Sequence, residues 1–263
     1  MIKIGLVQAS AAQDILENIK MIEKYVKEAK ERDCSIVGFP ECFLTGYYPE
    51  EALGLAVERE STVLKKISLM AKENTTDLLI GFMEADGDKR YISHGIFKAN
   101  GECEYYRKTH LGEKEEKYFA KGNMLEVFTL SCGIKAGFQI CVETHFPGIT
   151  KTLSLRDAEV VFAPHAVPRT AGSRKSIWNK IIPARSYDNR VYMACCNHWD
   201  GEKFGGGCMV TDPKGDVIAE YFEENEGLLV VDLDLEAVRR YREENAGKHY
   251  RYYPSKCRKE LYQ

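Results

Sequence analysis

Short apolar runs of strand length alternate with segments of helical periodicity along most of the 263 residues. That alternation limits the chain to α/β architectures in which helices cover sheet faces. Residues 1–8 alternate as a strand does. Ile15, Ile19, Ile22, Val26 and Ala29 then recur at steps of four and three, one face of an amphipathic helix, with Asp14 and Glu17 at its capping start. Strands are expected over 35–39, 77–83 and 93–98, with turn chemistry at Asp86-Gly87 and Asn100-Gly101. The second half repeats the plan without repeating the sequence. Strands are expected over 135–140, 159–163, 191–196, 207–211, 216–219 and 227–231, helices over 147–155 and 173–189, and a hairpin turn at Asp212-Pro213-Lys214-Gly215. Pattern alone does not separate one open sheet from two stacked ones.

No segment reads as a linker, so one domain over 1–263 with a large core is expected. A net charge of -3 gives no electrostatic case for nucleic acid or an anionic membrane, which leaves small-molecule chemistry as the default. The first eight residues lack the apolar core and cleavage site of a signal peptide. No apolar run approaches the ~18 residues of a membrane span. Nine cysteines, at 34, 42, 103, 132, 141, 195, 196, 208 and 257, include no Cys-x-x-Cys pair, so a disulfide framework is not expected. A reducing cytoplasm follows, in which Cys141 stays a free thiol.

Three segments carry chemistry. Phe39-Pro40-Glu41 runs into Leu44-Thr45-Gly46-Tyr47; Tyr106-Arg107-Lys108-Thr109-His110-Leu111 is the second; Gly137-Phe138-Gln139-Ile140-Cys141-Val142-Glu143, with Phe146-Pro147 after it, is the third. Each places one potent residue at the end of an expected strand, so Glu41, Lys108 and Cys141 offer one pocket a carboxylate, an ammonium and a thiol. The thiolate is the reactive form of cysteine and needs a base or a positive field beside it, which such a set supplies. Taken singly each residue is bland: a buried cysteine is most often packing, Glu41 a helix cap, Lys108 a solvated edge charge. Their meaning lies in being a set.

The order and context of these segments resemble the nitrilase superfamily of carbon-nitrogen hydrolases, with an amidase- or carbamoylase-like branch nearest, over nearly the whole chain. The resemblance implies an α-β-β-α sandwich, four layers built on two stacked mixed sheets, commonly paired with a second subunit as a homodimer or higher homo-oligomer. It also implies a cofactor-independent hydrolase acting on a small linear amide through a thioester. In the mechanism the resemblance implies, Glu41 serves as base and then acid, Cys141 attacks, and Lys108 with the backbone N–H of Val142 holds the oxyanion. A second glutamate is expected to position the lysine. Counting back from Gly122-Asn123 puts Glu115 there, with Glu113 and Glu116 as close competitors. Tyr47 matches a pocket-lining position.

Further matches extend the likeness: 156–160 through Pro164, Ala184-Arg185 with 189–192, and Phe204-Gly205-Gly206-Gly207-Cys208 before the Asp212 turn, where Cys208 replaces the usual Ser. Departures bear on substrate. Ile92 stands where relatives often carry Asn, and Val142 replaces a common aromatic. Thr144 and His145 occupy positions where carbamoyl-cleaving relatives often show paired arginines. His165, after Pro164, stands as either pocket lining or a satisfied structural histidine. Arg174, with Arg169 and Lys175, is either a carboxylate binder or part of a solvated loop. A metal or Cys-His site from Cys141, His110, His145 and His165 is disfavoured because no pair has a recognised zinc spacing. Cys195 and Cys196 point to opposite faces of a strand and make poor joint ligands. A true nitrilase and a binding module that keeps the fold without turnover are the rival readings.

Overall fold

The computed structural model describes residues 1–243, 258 and 260. Cys257 lies outside the described residues. In chain order the elements begin β1 (Ile2–Gln8), α1 (Ile15–Glu31), β2 (Ile36–Gly38), α2 (Ala52–Leu55), β3 (Val57–Glu58), α3 (Thr62–Asn74), β4 (Asp77–Asp86), β5 (Lys89–Phe97) and β6 (Cys103–Arg107). They continue β7 (Phe128–Thr129), β8 (Lys135–Phe138), α4 (Pro147–Leu155), β9 (Val160–His165), α5 (Ala171–Asn189), β10 (Tyr192–Asn197), β11 (Cys208–Thr211), β12 (Val217–Tyr221), β13 (Gly227–Leu233) and α6 (Leu235–Glu243). Among the described residues no helix is long and apolar enough to cross a membrane.

Local chemistry sets the helices. The Asp14 carboxylate accepts the N–H groups of Leu16 and Glu17, and of the expected stripe Ile19, Ile22, Val26 and Ala29 are buried and Ile15 is half-buried. α3 is an addition to the expected elements. Ser61 caps it through Leu64 N–H, and it buries Leu64, Ile67, Met70 and Ala71. Pro147 at the start of α4 supplies the preset φ that a first helical turn favours.

One sheet runs β13-β1-β2-β4-β5-β6, with β3 also on β4; the other runs β12-β11-β10-β9-β8-β7. Each mixes parallel and antiparallel pairs, as β2 with β4 against β4 with β5. The Asp86-Gly87 turn closes the β4–β5 hairpin with Gly87 at φ +57. A central cluster, including Ile4, Leu6, Ile36, Phe138, Phe162 and Val210, fills the space between the sheets. A second lies under α1 and α3, and a third under α4 and α5. The layers are therefore α-β-β-α, the expected sandwich. Burying each large aliphatic side chain stabilises by roughly 2 kcal/mol relative to exposure, and this two-sided burial fixes each sheet's facing. Cys195 packs in the α5-side cluster and Cys196 between the sheets, on opposite faces of β10.

The topology gathers strand ends. β2 and β6 run the same way, because β2 is parallel to β4 and two antiparallel steps lead from β4 to β6. Their C-terminal ends share one side of their sheet. β8 delivers the third segment from the other sheet, ending at Phe138 rather than continuing through 140 as the sequence suggests. Gln139 keeps one link, its N–H to Phe162 O, before the chain leaves the ladder for a 3-10 turn over Cys141–His145.

Candidate active site

Glu41 is set by the loop after β2. Phe39 N–H donates to Leu79 O (2.9 Å), and Glu41 N–H reaches His165 O (3.3 Å) at the end of β9 in the opposite sheet. His198 Nε2–H donates to Glu41 O (2.7 Å). Burial pushes the His198 imidazole down to about 4, so it stays neutral and available as this donor. The loop lies so close to β4 that a Cβ on Gly81 would stand 2.3 Å from Cys42 N and 2.8 Å from Pro40 O. Only glycine allows that approach.

Lys108 follows β6 directly, its N–H donating to Ile92 O (2.8 Å). Its ammonium lies 2.7 Å from Glu41 Oε1 and 2.8 Å from Glu115 Oε1, with the Lys108 side chain fully buried. Glu115 stands in a 3-10 turn over Glu115–Lys117, where its Oε2 accepts Gly112 N–H (2.7 Å) and its Oε1 accepts the Tyr47 hydroxyl (2.7 Å). Of the three glutamates left open by spacing, Glu115 is the one brought to Lys108. Glu113 and Glu116 are exposed, and Glu116 pairs with Lys121.

Cys141 opens its turn in left-handed backbone, φ +53, a conformation of order 1–3 kcal/mol above the ordinary regions for a side-chain-bearing residue. The Thr144 hydroxyl donates to Cys141 O (2.7 Å). Burial pushes the Cys141 thiol up to about 12, and Glu41 adds to this while Lys108 opposes it. Burial likewise raises Glu41 to about 7, against the pull of Lys108. Burial disfavours the charge on Lys108, but the neighbouring Glu41, Cys141 and Glu115 hold its pKa well above the ordinary value. Resting Cys141 is thus a thiol, beside a carboxylate whose pKa lies near neutrality. Glu41 Oε2 is buried.

A cavity of about 550 Å³ opens over Lys108, Glu115, Cys141, Val142 and Tyr47. Ala166, Val167 and Pro168 form another wall, and Lys203 stands at its edge as an exposed side chain. Glu41 lies behind Lys108 and is not itself a lining residue, and His165 and Arg174, singled out from the sequence as substrate-binding, do not line it either. His165 is buried with its Nδ1 2.8 Å from Ala163 O and its ring edge-on to Trp178, centroids 4.9 Å apart. Arg174, on α5, is buried with its guanidinium 5.6 Å from the Trp178 ring centre. Arg169 is exposed and Lys175 pairs with Glu220. His198, Lys203 and the 166–168 wall were not singled out from the sequence. Lys203 directly precedes the Phe204 hairpin match, but no spacing rule marks it. Among the described residues no three His, Cys, Asp or Glu side chains gather to hold a metal ion.

The family model described as carbon-nitrogen hydrolase matches residues 3–243. The chain is 31% identical over 255 residues to a protein named nitrilase from Pyrococcus abyssi, covering 92% of this chain and 93% of that one. It is 30% identical over 262 residues to omega-amidase NIT2 of Xenopus tropicalis, covering 92% of each. Among solved structures, the NitN amidase of Neterenkonia sp. AN1 superposes with a TM-score of 0.84 at 25% identity, over 99% of this chain and 98% of that one. The layer order, the strand ends that meet at the cavity and a family match over nearly all of the described residues lead to one assignment: this chain belongs to the carbon-nitrogen hydrolase family.

Proposed function

We propose that the protein hydrolyses the C–N bond of a small linear amide through a thioester on Cys141. The observation that carries this reading is the Lys108 ammonium held between Glu41 and Glu115 at the wall of the cavity that Cys141 lines. An ammonium has three N–H donors. Two are engaged by the carboxylates, and the third is available to an oxygen in the cavity.

Glu41 takes the thiol proton as Sγ bonds to the amide carbon, and the carbonyl π pair moves onto oxygen. Lys108 and the Val142 N–H stabilise that oxyanion, at about 3 kcal/mol per preorganised donor. Collapse of the intermediate breaks the C–N bond while Glu41 returns its proton to nitrogen, releasing ammonia or an amine. Water then gives a proton to Glu41 as its oxygen attacks the thioester, and the departing thiolate recovers that proton as the acid leaves. One carboxylate near neutral pKa serves both directions. The names amidase and omega-amidase among its relatives support an amide, while the relative named nitrilase keeps a nitrile as the enzyme rival.

Intact-mass measurement during turnover tests the reading. With propionamide an acyl adduct on Cys141 and release of ammonia are expected, and Cys141→Ala removes both while keeping the fold. Turnover confined to propionitrile, or full activity in Cys141→Ala, would overturn it. A reducing cytoplasm suits the eight described cysteines, all free thiols. A second copy of the chain is the proposed partner: Phe146 is 42% exposed before α4 and Tyr187 44% exposed on α5, apolar surface a dimer would cover. A monomeric mass by light scattering would reject it.

A further inference from the structure

Glu143 is a fully buried carboxylate that the mechanism does not use. Glu143 lies two residues beyond Cys141, and its oxygens collect donors from two different segments. Oε1 accepts the backbone N–H of Thr109 (2.8 Å) and of His110 (3.2 Å) together with the Thr109 hydroxyl. Oε2 accepts the N–H of Ile140 (2.7 Å). The Tyr106 hydroxyl lies 2.9 Å from the first oxygen and 3.0 Å from the second. One end of the carboxylate therefore holds the residues just after Lys108, and the other holds the residue just before Cys141.

We propose that Glu143 is a positioning residue, a two-ended brace that sets the nucleophile turn against the strand end carrying the ammonium. The proposal rests on Cys141 as nucleophile and Lys108 as oxyanion donor. Its physical basis is the acceptor count. An ionised carboxylate offers acceptors in both directions, whereas the isosteric amide of glutamine must turn an NH2 group toward one set of N–H donors. A glutamine at 143 releases either the Thr109–His110 end or the Ile140 end. The Cys141 backbone needs that hold, since a non-glycine residue at φ +53 persists only where its surroundings over-determine it. Among the described residues the Ile140 N–H donates to Glu143 Oε2.

The experiment uses the full chain as Glu143→Gln, Glu143→Asp and Cys141→Ala. It reads ammonia release from propionamide, iodoacetamide alkylation of Cys141 against pH by peptide mass, and thermal melting. Glu143→Gln is expected to lower kcat about 10²-fold, the scale of an ångström misplacement, with KM little changed and alkylation of Cys141 slowed. Glu143→Asp keeps two acceptor oxygens and recovers about tenfold of that loss. A Glu143→Gln enzyme with kcat and alkylation profile of the parent, beside an inactive Cys141→Ala, overturns the brace alone. Turnover surviving in Cys141→Ala overturns the brace and the reading beneath it. Loss of melting temperature and kcat in parallel, with no recovery in Glu143→Asp, identifies a purely structural residue and also rejects the proposal. Should Glu143→Gln fail to fold, Thr109→Val decides, because it takes one donor from the Lys108 end only. A kcat lowered about threefold or more at constant KM supports the brace, and an unchanged kcat rejects it.

Discussion

Lys108 Nζ lies 2.7 Å from Glu41 Oε1, and neither side chain has any solvent exposure. A buried pair of this kind is poor evidence for stability, because removing two charges from water costs about as much as their attraction returns. Its value is chemical. The ammonium keeps Glu41 from rising further, and burial keeps it from falling to an ordinary carboxylate value. In the proposed mechanism this suits a base that takes a proton and gives it back near pH 7.

The pH dependence follows. Glu41 must be ionised to accept the thiol proton, so kcat/KM should fall below a midpoint near the raised value of about 7. Stability runs the opposite way. The folded protein holds this proton more tightly than the ordinary 4.5 of an unfolded chain, so the stability it contributes is present below 4.5 and lost as pH rises through about 7. Glu41→Gln should therefore lose less stability than the parent between pH 4.5 and 8, and should be inactive throughout. Melting curves across that range check the first part; an equal pH slope in both proteins would remove Glu41 from the account.

Replacing Lys108 by methionine leaves Glu41 and Glu115 without their shared cation. Breaking a buried pair from one side costs about 3–5 kcal/mol. The loss should be largest at pH 8, above the raised Glu41 value of about 7, and smaller at pH 5, where Glu41 takes a proton. Loss of an oxyanion donor lowers kcat about 10²- to 10³-fold. Urea denaturation at the two pH values, beside kcat for propionamide, measures both. A pH-independent stability loss would contradict the assignment of Glu41 as the group that titrates.

Much of this was legible in the residue pattern, and the exceptions have physical causes. α1 is read from its stripe and Asp14, and the gathering of Glu41, Lys108 and Cys141 from their places at strand ends, because both signals are local. β4 is expected to stop at residue 83 but runs to Asp86. Glu84 reads as a strand-ending charge, yet Arg59 and Arg107 pair with it across the fold and bury it completely. α3 carried a helical stripe at Leu64, Ile67 and Ala71 that a closer count of periods finds. His165 and Arg174 could not be placed from sequence. Whether a strand-end histidine faces the cavity or Trp178 depends on how α5 packs over β9, a tertiary fact with no local signature. Lys203 reaches the cavity edge through a hairpin whose sequence marks only its glycines.

Tyr47 gives a prediction confined to Glu115. Its hydroxyl and the Lys108 ammonium share Glu115 Oε1, at 2.7 and 2.8 Å. A hydrogen bond to a charged group contributes about 1.5 kcal/mol or more. Tyr47→Phe should lower kcat/KM about tenfold with little change in melting temperature, because the ring still fills its place. Unchanged kinetics on propionamide would remove the hydroxyl from the positioning of Glu115.

The last prediction concerns a residue with no chemistry of its own. Gly81 lies in the middle of β4, where glycine ordinarily weakens a strand. Here it makes room for the loop bearing Glu41: an added Cβ meets Cys42 N at 2.3 Å, Pro40 O at 2.8 Å and Glu41 C at 2.9 Å, all backbone atoms. The loop cannot yield by a side-chain rotation, and Glu41 is held on its other side by His198 and the His165 carbonyl. Gly81→Ala must therefore move either β4 or the loop, at about 1–3 kcal/mol, the usual cost of overpacking. Because Lys108 N–H bonds to Ile92 on β5, which pairs with β4, the shift disturbs the Glu41–Lys108 spacing. Activity should then fall by more than the folded fraction does. Kinetics corrected for folded fraction by circular dichroism test this, and a variant whose activity per folded molecule matches the parent would show that the Glu41 loop tolerates displacement.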